Sequence, residues 1–170
     1  MIDTQKANIF VYQVPDPENY GVIEIYDNKI VSIEEKPIAP KSSLVITGLY
    51  FYDSTIINKV KKLKPSKRNE LEITDINKDY LSSNNLNAVF LKQGTLWLDA
   101  GNTKSLLQAS QFVQTVQERQ QIQIGCPEEI AWKKKWINDS QFKKIANSAP
   151  SNSYGNYLRK ISKIENKLII

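Results

Sequence analysis

The sequence predicts an α/β protein with two parts: a sheet with helices in residues 1–101 and a helical region in residues 102–170. Two observations point to this class. Short runs rich in β-branched and aromatic residues alternate with segments of helical apolar spacing up to about residue 98. Beyond residue 102 only helical spacing recurs. The predicted strands are Ala7–Val14, Gly21–Tyr26, Ile30–Ile33, Leu44–Tyr52, Leu86–Leu91 and Leu96–Leu98.

Capping residues and apolar residues at helical spacing define the predicted helices. Asp53 is a plausible N-cap for a first helix, and residues 72–82 carry Ile73, Ile76 and Tyr80 at helical spacing. A long helix is predicted from Asn102, with an apolar stripe of Leu106, Ala109, Val113 and Val116 and with Phe112 beside it. Three more helices are predicted: over Glu128–Trp136, after a cap at Asn138 or Asp139, and over Ser153–Ile161.

The predicted sheet looks incomplete. The chain opens on a strand, and no complete βαβ unit precedes it, whereas parallel strands need crossover connections to their neighbours. Strands without neighbours expose edges and apolar faces. We therefore expect an isolated chain of marginal stability that is oligomeric or partly disordered near Met1.

Composition excludes several chemistries. The 170 residues contain no histidine and one cysteine, Cys126, so histidine triads, His or Cys zinc sites and internal disulfides cannot form. The 41% hydrophobic and 24% charged fractions are ordinary for a globular protein. No apolar run approaches the roughly 20 residues that span a bilayer, and Met1–Lys6 lacks a signal peptide's apolar stretch. We expect a cytoplasmic protein without membrane contact.

Positive charge is concentrated in the last third of the chain. Residues 1–101 carry 12 basic and 13 acidic side chains, whereas residues 102–170 carry 11 basic and 5 acidic ones. Such an excess attracts phosphate-bearing ligands or an acidic partner, but a solvated helical surface gives the same count. Lysines 133–135 between Trp132 and Trp136 resemble a nucleic-acid patch. Ile130, Trp136 and Ile137 approximate a buried helical stripe, which favours solvated lysines over nucleic-acid binding.

Four segments carry groups suited to a phosphorylated sugar, each with a plain structural alternative. Gly21 opens a strand, where a backbone can approach a ligand closely or simply turn. Glu35 can accept bonds from sugar hydroxyls and Lys36 can anchor a phosphate, provided that the chain turns at Pro37. A basic loop containing Arg68 leads into a helix N-terminus. Asp99 ends a short apolar run, as a metal ligand or a turn residue would.

In their residues and in their order along the chain, these motifs resemble the second part of glucose-1-phosphate thymidylyltransferases. The resemblance extends from about Ala7 to Arg159. The resemblance implies a partial Rossmann-like nucleotidyltransferase sheet, its sugar-binding part, followed by a helical region for oligomerisation and regulation. The motifs that carry it are Tyr20-Gly21-Val22, Glu34-Glu35-Lys36-Pro37, Thr47-Gly48-Leu49-Tyr50-Phe51-Tyr52, Glu70-Leu71-Glu72-Ile73-Thr74-Asp75, Trp97-Leu98-Asp99, Ala109-Ser110-Gln111-Phe112 and Cys126-Pro127-Glu128-Glu129-Ile130-Ala131.

The resemblance also implies a reaction and its residues. Glucose 1-phosphate and dTTP give dTDP-glucose, a precursor of dTDP-rhamnose, and pyrophosphate, with Mg²⁺ bridging the phosphates. By matching position, the sugar phosphate would be bound by Gly21, Glu35, Lys36, Ile46, Tyr50 and Arg68, and the metal by Asp99. A regulatory dTDP-sugar site would include Cys126, Glu128, Glu129, Ile130 and Lys133, in a homo-oligomer.

The chain departs from the family pattern at several positions. Residues 100, 102 and 103 differ from the usual turn after Asp99, Ile46 replaces a usual valine, Asn69 a glycine, and Lys133 an arginine. The glycine-rich phosphate loop, a catalytic lysine and the second metal aspartate of the family's other half have no counterpart here. Since this catalysis is mostly positioning and charge neutralisation, we expect no activity from the chain alone.

Three hypotheses follow for its function. The first is an enzyme fragment that needs the missing N-terminal half. The second is a non-catalytic regulatory or binding module that associates with a full-length homologue through its helical region. The third is a nucleic-acid binder that uses lysines 133–135, which we consider the weakest.

Overall fold

The structure is a computed structural model that describes residues 1–66 and 68–163. Lys67, in the basic loop singled out above, lies outside the described residues. The chain divides into two compact units, Met1–Trp97 and a second that begins at Leu98. Each unit has its own buried core, and each is described by itself.

A mixed five-stranded sheet forms the first unit. Its strands are β1 (Ala7–Gln13), β2 (Gly21–Tyr26), β3 (Lys29–Glu35), β4 (Leu44–Phe51) and β5 (Leu86–Phe90), in the order β3-β2-β4-β1-β5. β5 runs parallel to β1, and the other neighbours are antiparallel. Together with the helices packed on it, this sheet confirms the predicted α/β class.

Two irregularities shape the sheet. Asp27 and Asn28 both adopt positive φ, 49° and 59°, which gives the β2–β3 hairpin the left-handed turn that its sequence predicts. In β4, the register passes from Ile46 opposite Val11 to Tyr50 opposite Ile9, so residues 47–49 bulge out opposite one residue of β1. Gly48 lies in this bulge at φ 82°, a conformation that costs glycine nothing.

Helix α2 (Ile73–Ser82) covers one face of the sheet, preceded by the short α1 (Ile56–Val60). Ile76 and Tyr80 pack into a core with Ile9 and Ile23. The prediction that Ile73 shares this buried face is wrong, because Thr74 and Asn77 point inward in its place and Ile73 is exposed. Thr55 precedes α1 as its N-cap, so the predicted cap at Asp53 is also displaced; the Asp53 carboxylate accepts the Thr55 N–H at 3.0 Å.

Trp97 is not part of a strand, contrary to the expectation for residues 96–98. Its ring packs against Tyr12 and Tyr20, with centroids 6.0 and 5.1 Å away. Its indole N–H donates to the carbonyl of Thr47 at 3.1 Å. The Trp97 side chain therefore holds this segment against the β4 bulge by a hydrogen bond, in place of the strand pairing that was expected.

The second unit is helical, as predicted: α3 (Thr103–Gln120), α4 (Pro127–Lys133), α5 (Asp139–Ser148) and α6 (Ser153–Ile161). Asn102 and Asn138 begin α3 and α5 with capping boxes, which settles the second cap on Asn138 rather than Asp139. Within the described residues, no helix is long and apolar enough to cross a bilayer.

The core of this unit differs from the predicted stripe. Trp132 stacks flat on Phe142, with ring centroids 4.4 Å apart, and Leu158 and Cys126 complete the packing. Helix α4 ends at Lys133, three residues earlier than expected, and Trp136 beyond it is 75% exposed. Ile130 is also exposed, so the proposed buried stripe is wrong at residues 130 and 136, while Ile137 packs partly buried against this core. Lysines 133–135 face solvent.

The expected apolar stripe of α3 buries no side chain. Ala109, Val113 and Val116 are half-buried, while Leu106 and Phe112 are exposed. Helix α3 therefore has no buried side chain of its own, and its first turn is closed by the Asn102 capping box.

Gly155 allows α6 to approach the end of α5. A Cβ at this position would lie 2.0 Å from the carbonyl oxygen of Pro150, a backbone atom that cannot move aside cheaply. We predict that Gly155→Ala lowers the free energy of unfolding by about 1–3 kcal/mol, measured by denaturant unfolding. The control Ser153→Ala, at an exposed position of the same helix, should change stability by less than about 0.5 kcal/mol. Equal stability of both variants would contradict this packing.

Candidate functional site

Three of the predicted sugar-site residues lie together in the first unit. Gly21 opens β2 directly opposite Glu35, the last residue of β3. A Cβ built on Gly21 would lie 3.3 Å from Glu35 Oε2, 3.5 Å from Thr74 Oγ1 and 3.9 Å from Ile46 Cδ1. The missing side chain thus lets a carboxylate, a hydroxyl and a methyl group pack within 4 Å of the place that a Cβ would take. Thr74, at the start of α2, was not among the predicted ligands.

Lys36 turns the chain at the end of β3. Its φ is 43°, in the left-handed region, and its N–H donates to the carbonyl of Tyr20 at 3.0 Å. Adjacent strand residues point to opposite faces, so Glu35 and Lys36 serve one ligand only where the chain turns between them. The turn lies at Lys36 itself, one residue before the proline expected to make it.

Arg68 lies among three carboxylates. Its guanidinium is 2.9 Å from Glu70 Oε2, 3.5 Å from Glu72 Oε1 and 3.6 Å from Glu35 Oε1. The other oxygen of Glu35 accepts a 2.5 Å hydrogen bond from the buried Thr74 hydroxyl. The predicted sugar carboxylate and the predicted phosphate cation are therefore neighbours.

A cavity of about 380 Å³ opens beside this cluster. Its walls include both ends of the site, the β3 terminus and the N-terminus of α2. Ser66 and Lys78 were not among the predicted site residues, and in the sequence they are an ordinary loop serine and an ordinary helix lysine. The lining side chains are Glu34, Glu35, Pro37, Ser66, Arg68, Glu72, Asp75 and Lys78.

Tyr50 belongs to a ladder of three aromatic rings on the same side of the sheet. It stacks on Tyr52 at 5.6 Å, and Tyr52 stacks on Tyr80 at 5.4 Å. The Tyr52 hydroxyl donates to Asn77 Oδ1 at 2.5 Å. Burial, and then the negative charge of Glu35, raise the pKa of the Tyr50 hydroxyl, which stays a neutral donor. Alternation along β4 placed Tyr50 and Tyr52 on one face; the long-range partners Tyr80 and Asn77 had no sequence signal.

Asp99 lies in the second unit, where its carboxylate folds back on its own turn. Asp99 Oδ2 accepts the N–H of Gly101 at 3.2 Å. Among the described residues, no group of three or more acidic or cysteine side chains converges as a metal cage would require. Magnesium needs only one or two carboxylates when substrate phosphates supply other ligands, and a single aspartate is compatible with that mode.

The predicted regulatory motif fastens α4 to α6. Glu128 accepts a hydrogen bond from the Tyr154 hydroxyl, and Glu129 accepts one from Tyr157 at 2.6 Å. Lys133 pairs with Glu129 at 2.7 Å. Cys126 is buried, and Tyr154 also lies 3.5 Å from its sulfur. The carboxylates are thus used inside the helical unit, while Ile130 and Lys133 remain exposed.

Comparisons with known proteins agree on one family. The family model described as nucleotidyl transferase matches residues 2–116. A glucose-1-phosphate thymidylyltransferase from Neisseria meningitidis serogroup A is 47% identical over 161 residues, which cover 94% of this chain and 56% of that protein. One from Mycolicibacterium smegmatis is 48% identical over 151 residues, 88% of this chain and 52% of that protein.

A solved structure agrees with these relatives. It is a Bacillus anthracis protein assigned as a glucose-1-phosphate thymidylyltransferase, in complex with sucrose. It is 45% identical, has a TM-score of 0.58, and covers 64% of this chain and 44% of its own chain. The chain spans about half the length of the curated relatives it matches.

The left-handed conformation of Lys36 has a measurable consequence. At an ordinary strand position, glycine is less stable than alanine by about 0.5–1 kcal/mol. At φ 43° the order should reverse, so we predict that Lys36→Gly equals or exceeds Lys36→Ala in its free energy of unfolding. Val31→Ala and Val31→Gly, on the exposed side of β3, provide the control pair with the ordinary order. The same order at both positions would contradict a left-handed Lys36.

The bonds between α4 and α6 predict a loss of stability in alkali. Burial, and then the bonds to acceptor groups, raise the pKa of the Tyr154 and Tyr157 hydroxyls above the ordinary value of about 10. Their contribution should be complete below pH ~10 and lost as the pH rises through the raised folded-state pKa. Thermal melts at increasing pH should show this fall, and Tyr157→Phe should reduce it. Tyr26→Phe, at an exposed position, should leave it unchanged; a flat alkaline profile would refute the assignment.

Proposed function

The chain belongs to the nucleotidyl transferase family, and we propose that it is the sugar-phosphate-binding part of a glucose-1-phosphate thymidylyltransferase. The reaction would join glucose 1-phosphate to the thymidylyl group of dTTP, giving dTDP-glucose and pyrophosphate. The observation that supports this substrate is the meeting of Gly21, Glu35 and Thr74 beside a cavity that also contains Arg68. One side of such a site suits hydroxyl groups and the other suits a phosphate.

The hexose would lie beside the backbone of Gly21, which has no side chain to keep a ligand away. Glu35 is an acceptor for sugar hydroxyls, and its orientation is fixed by Thr74. Tyr50, kept protonated by its raised pKa, would donate or stack, and Ile46 would give an apolar wall. These groups orient the sugar so that its phosphate faces the cations.

Two cations would bind the phosphate. Lys36 provides a compact ammonium at the turn after Glu35, and Arg68 provides a planar guanidinium suited to phosphate oxygens. Because Arg68 contacts Glu35 only at 3.6 Å, this contact can yield to a ligand at small cost. Phosphate binding would thereby release Glu35 for the sugar hydroxyls.

Magnesium is the metal that we propose for the reaction, with Asp99 as one carboxylate ligand. When bound, it would offset the charge that develops on the phosphates. The residues of this chain would do the remaining work by holding the sugar phosphate in position for an in-line attack.

The nucleotide would have to be bound and activated by residues outside this chain. We propose that they belong to the half of the relatives that this chain does not match. The partner in our proposal is that half, or a full-length homologue, in the cytoplasm. Support comes from β4, which among the described residues bridges β2 only at Val22–Val45. Its remaining length, with Leu49 and Phe51 half-exposed, can accept another strand.

The exposed residues Ile130 and Lys133 remain our candidates for a dTDP-sugar contact, in a homo-oligomer. Glu128, Glu129 and Cys126 would then act indirectly, by fixing α4 against α6. The polar bonds of these three within the unit support an indirect role better than direct ligand contact.

The proposal predicts binding without catalysis. Titration calorimetry on the 170-residue chain should detect glucose 1-phosphate, and Glu35→Gln or Lys36→Gly should weaken it about 10- to 100-fold, since a hydrogen bond to a charged group contributes about 1.5–3 kcal/mol. Lys29→Ala, at the opposite end of β3, is the matched control and should leave the affinity unchanged.

Turnover provides the second arm. With dTTP, glucose 1-phosphate and Mg²⁺, the chain alone should release no pyrophosphate, and addition of the unmatched half of a relative should restore release. Turnover by the chain alone, or equal affinity of all three variants, would contradict the proposal.

A further inference from the structure

We infer that Glu72 is a positioning residue for Arg68, so that it controls recognition of the phosphate through the orientation of the guanidinium. The inference rests on the proposed function. Its starting point is a misfit between residue type and place. Glu72 occupies the N-cap of α2, yet its side chain makes no capping bond. Ser, Thr, Asp and Asn are the residues preferred there, because their short side chains reach the free N–H groups.

The Glu72 side chain is turned toward the preceding loop instead. Only 12% of it is exposed, so it is not a solvated surface charge. Its Oε1 accepts a hydrogen bond from the Ser66 hydroxyl at 2.9 Å and lies 3.5 Å from Arg68 Nη1. One carboxylate oxygen thus holds both the loop and the guanidinium that the loop carries.

Ser66 extends this hold to the backbone of Arg68. The Ser66 hydroxyl accepts the Arg68 N–H at 3.1 Å while donating to Glu72. The Ser66 N–H donates to the carbonyl of Glu70 at 2.8 Å, and the Asn69 N–H to the carbonyl of Ser66 at 2.9 Å. Asn69 adopts φ 60°, which asparagine tolerates well. Ser66 therefore joins Arg68 and Asn69, and Glu72 fixes this group to α2.

Glu70 offers an internal comparison. It lies closer to Arg68, at 2.9 Å, but its side chain is 57% exposed, and among the described residues its carboxylate is held by this ion pair alone. A pair so exposed is screened by water and orders its partner weakly. Both glutamates carry the same charge and contact the same arginine. A comparison of their variants therefore separates the effect of burial and loop anchoring from the effect of charge.

The consequence for recognition is geometric. A guanidinium binds phosphate well when its fork is already oriented, because little side-chain entropy remains to be lost. Arg68 is 42% exposed and has a long side chain, and without Glu72 it would sample many rotamers. Glu72 fixes one of them beside the cavity that Glu35 borders.

The test uses the full 170-residue chain and three variants. Glu72→Asp keeps the charge and is a better N-cap, but it is too short to reach the loop. Glu72→Gln keeps the length and an acceptor for Ser66 but loses the charge. Glu70→Gln is the matched control. We expect Glu72→Asp to melt at the same or a higher temperature than the wild type, since α2 gains a capping residue.

Calorimetric titration with glucose 1-phosphate, and nuclear magnetic resonance titration with glucose, separate phosphate from sugar recognition. We expect Glu72→Asp to lose about 10-fold in affinity for glucose 1-phosphate, with the affinity for glucose unchanged. Glu72→Gln should lose less than Glu72→Asp, and Glu70→Gln less than about 2-fold. In an Arg68→Ala background, Glu72→Asp should cost nothing more.

Three results would overturn the inference. The first is an unchanged affinity in Glu72→Asp, and the second is an equal loss of affinity in Glu70→Gln. The third is a parallel loss of affinity for glucose and glucose 1-phosphate, because a merely structural role of Glu72 would weaken both. A ligand-free readout makes the test independent of the proposed function. Nuclear magnetic resonance of the Arg68 guanidinium should show restricted rotation in the wild type and in Glu70→Gln, and free rotation in Glu72→Asp. Restricted rotation in the wild type without any binding of glucose 1-phosphate would sink the proposed function alone. Free rotation in the wild type would sink the positioning role alone.

Discussion

The Glu35 carboxylate joins the parts of the first unit that form the candidate site. It ends β3, faces the glycine that opens β2, and accepts the buried hydroxyl of Thr74 from α2. An anion held between a hairpin and a helix fixes their distance, and the absent Cβ of Gly21 leaves the room that this arrangement needs. The buried Thr74 hydroxyl needs a partner, so the contact stabilises the fold and orients the acceptor at once.

The second unit uses carboxylates for a different purpose. Glu128 and Glu129 lie in the first turn of α4, where the helix dipole favours acidic side chains, and tyrosine hydroxyls of α6 reach across to both. The core of this unit lies among α4, α5 and α6 and is small, centred on the stacked Trp132 and Phe142. Directed polar bonds between helices compensate for the small apolar area and fix the register of α6.

Local sequence signals determined most of the fold, and long-range contacts explain what they missed. The Asp27-Asn28 turn and the asparagine caps were readable because their chemistry involves only near neighbours. The positions of Trp97 and Trp132 could not be predicted in this way, because each depends on a partner in another element. Trp97 bonds to Thr47, 50 residues away, and Trp132 stacks on Phe142 of α5. The same limit hid Thr74, whose partner Glu35 lies 39 residues away.

The candidate site combines residues that the sequence identified with a geometry that it could not give. Motif resemblance selected Glu35, Lys36 and Arg68, but not the left-handed turn that redirects Lys36, nor the carboxylates around Arg68. These two cations differ electrostatically, since the glutamates neutralise Arg68, whereas Lys36 has no ion pair among the described residues. In the proposed site, a phosphate would compete with protein carboxylates for Arg68 and would meet no such competition at Lys36. Lys36 should supply most of the attraction for an incoming phosphate, and Arg68 the discrimination of its orientation.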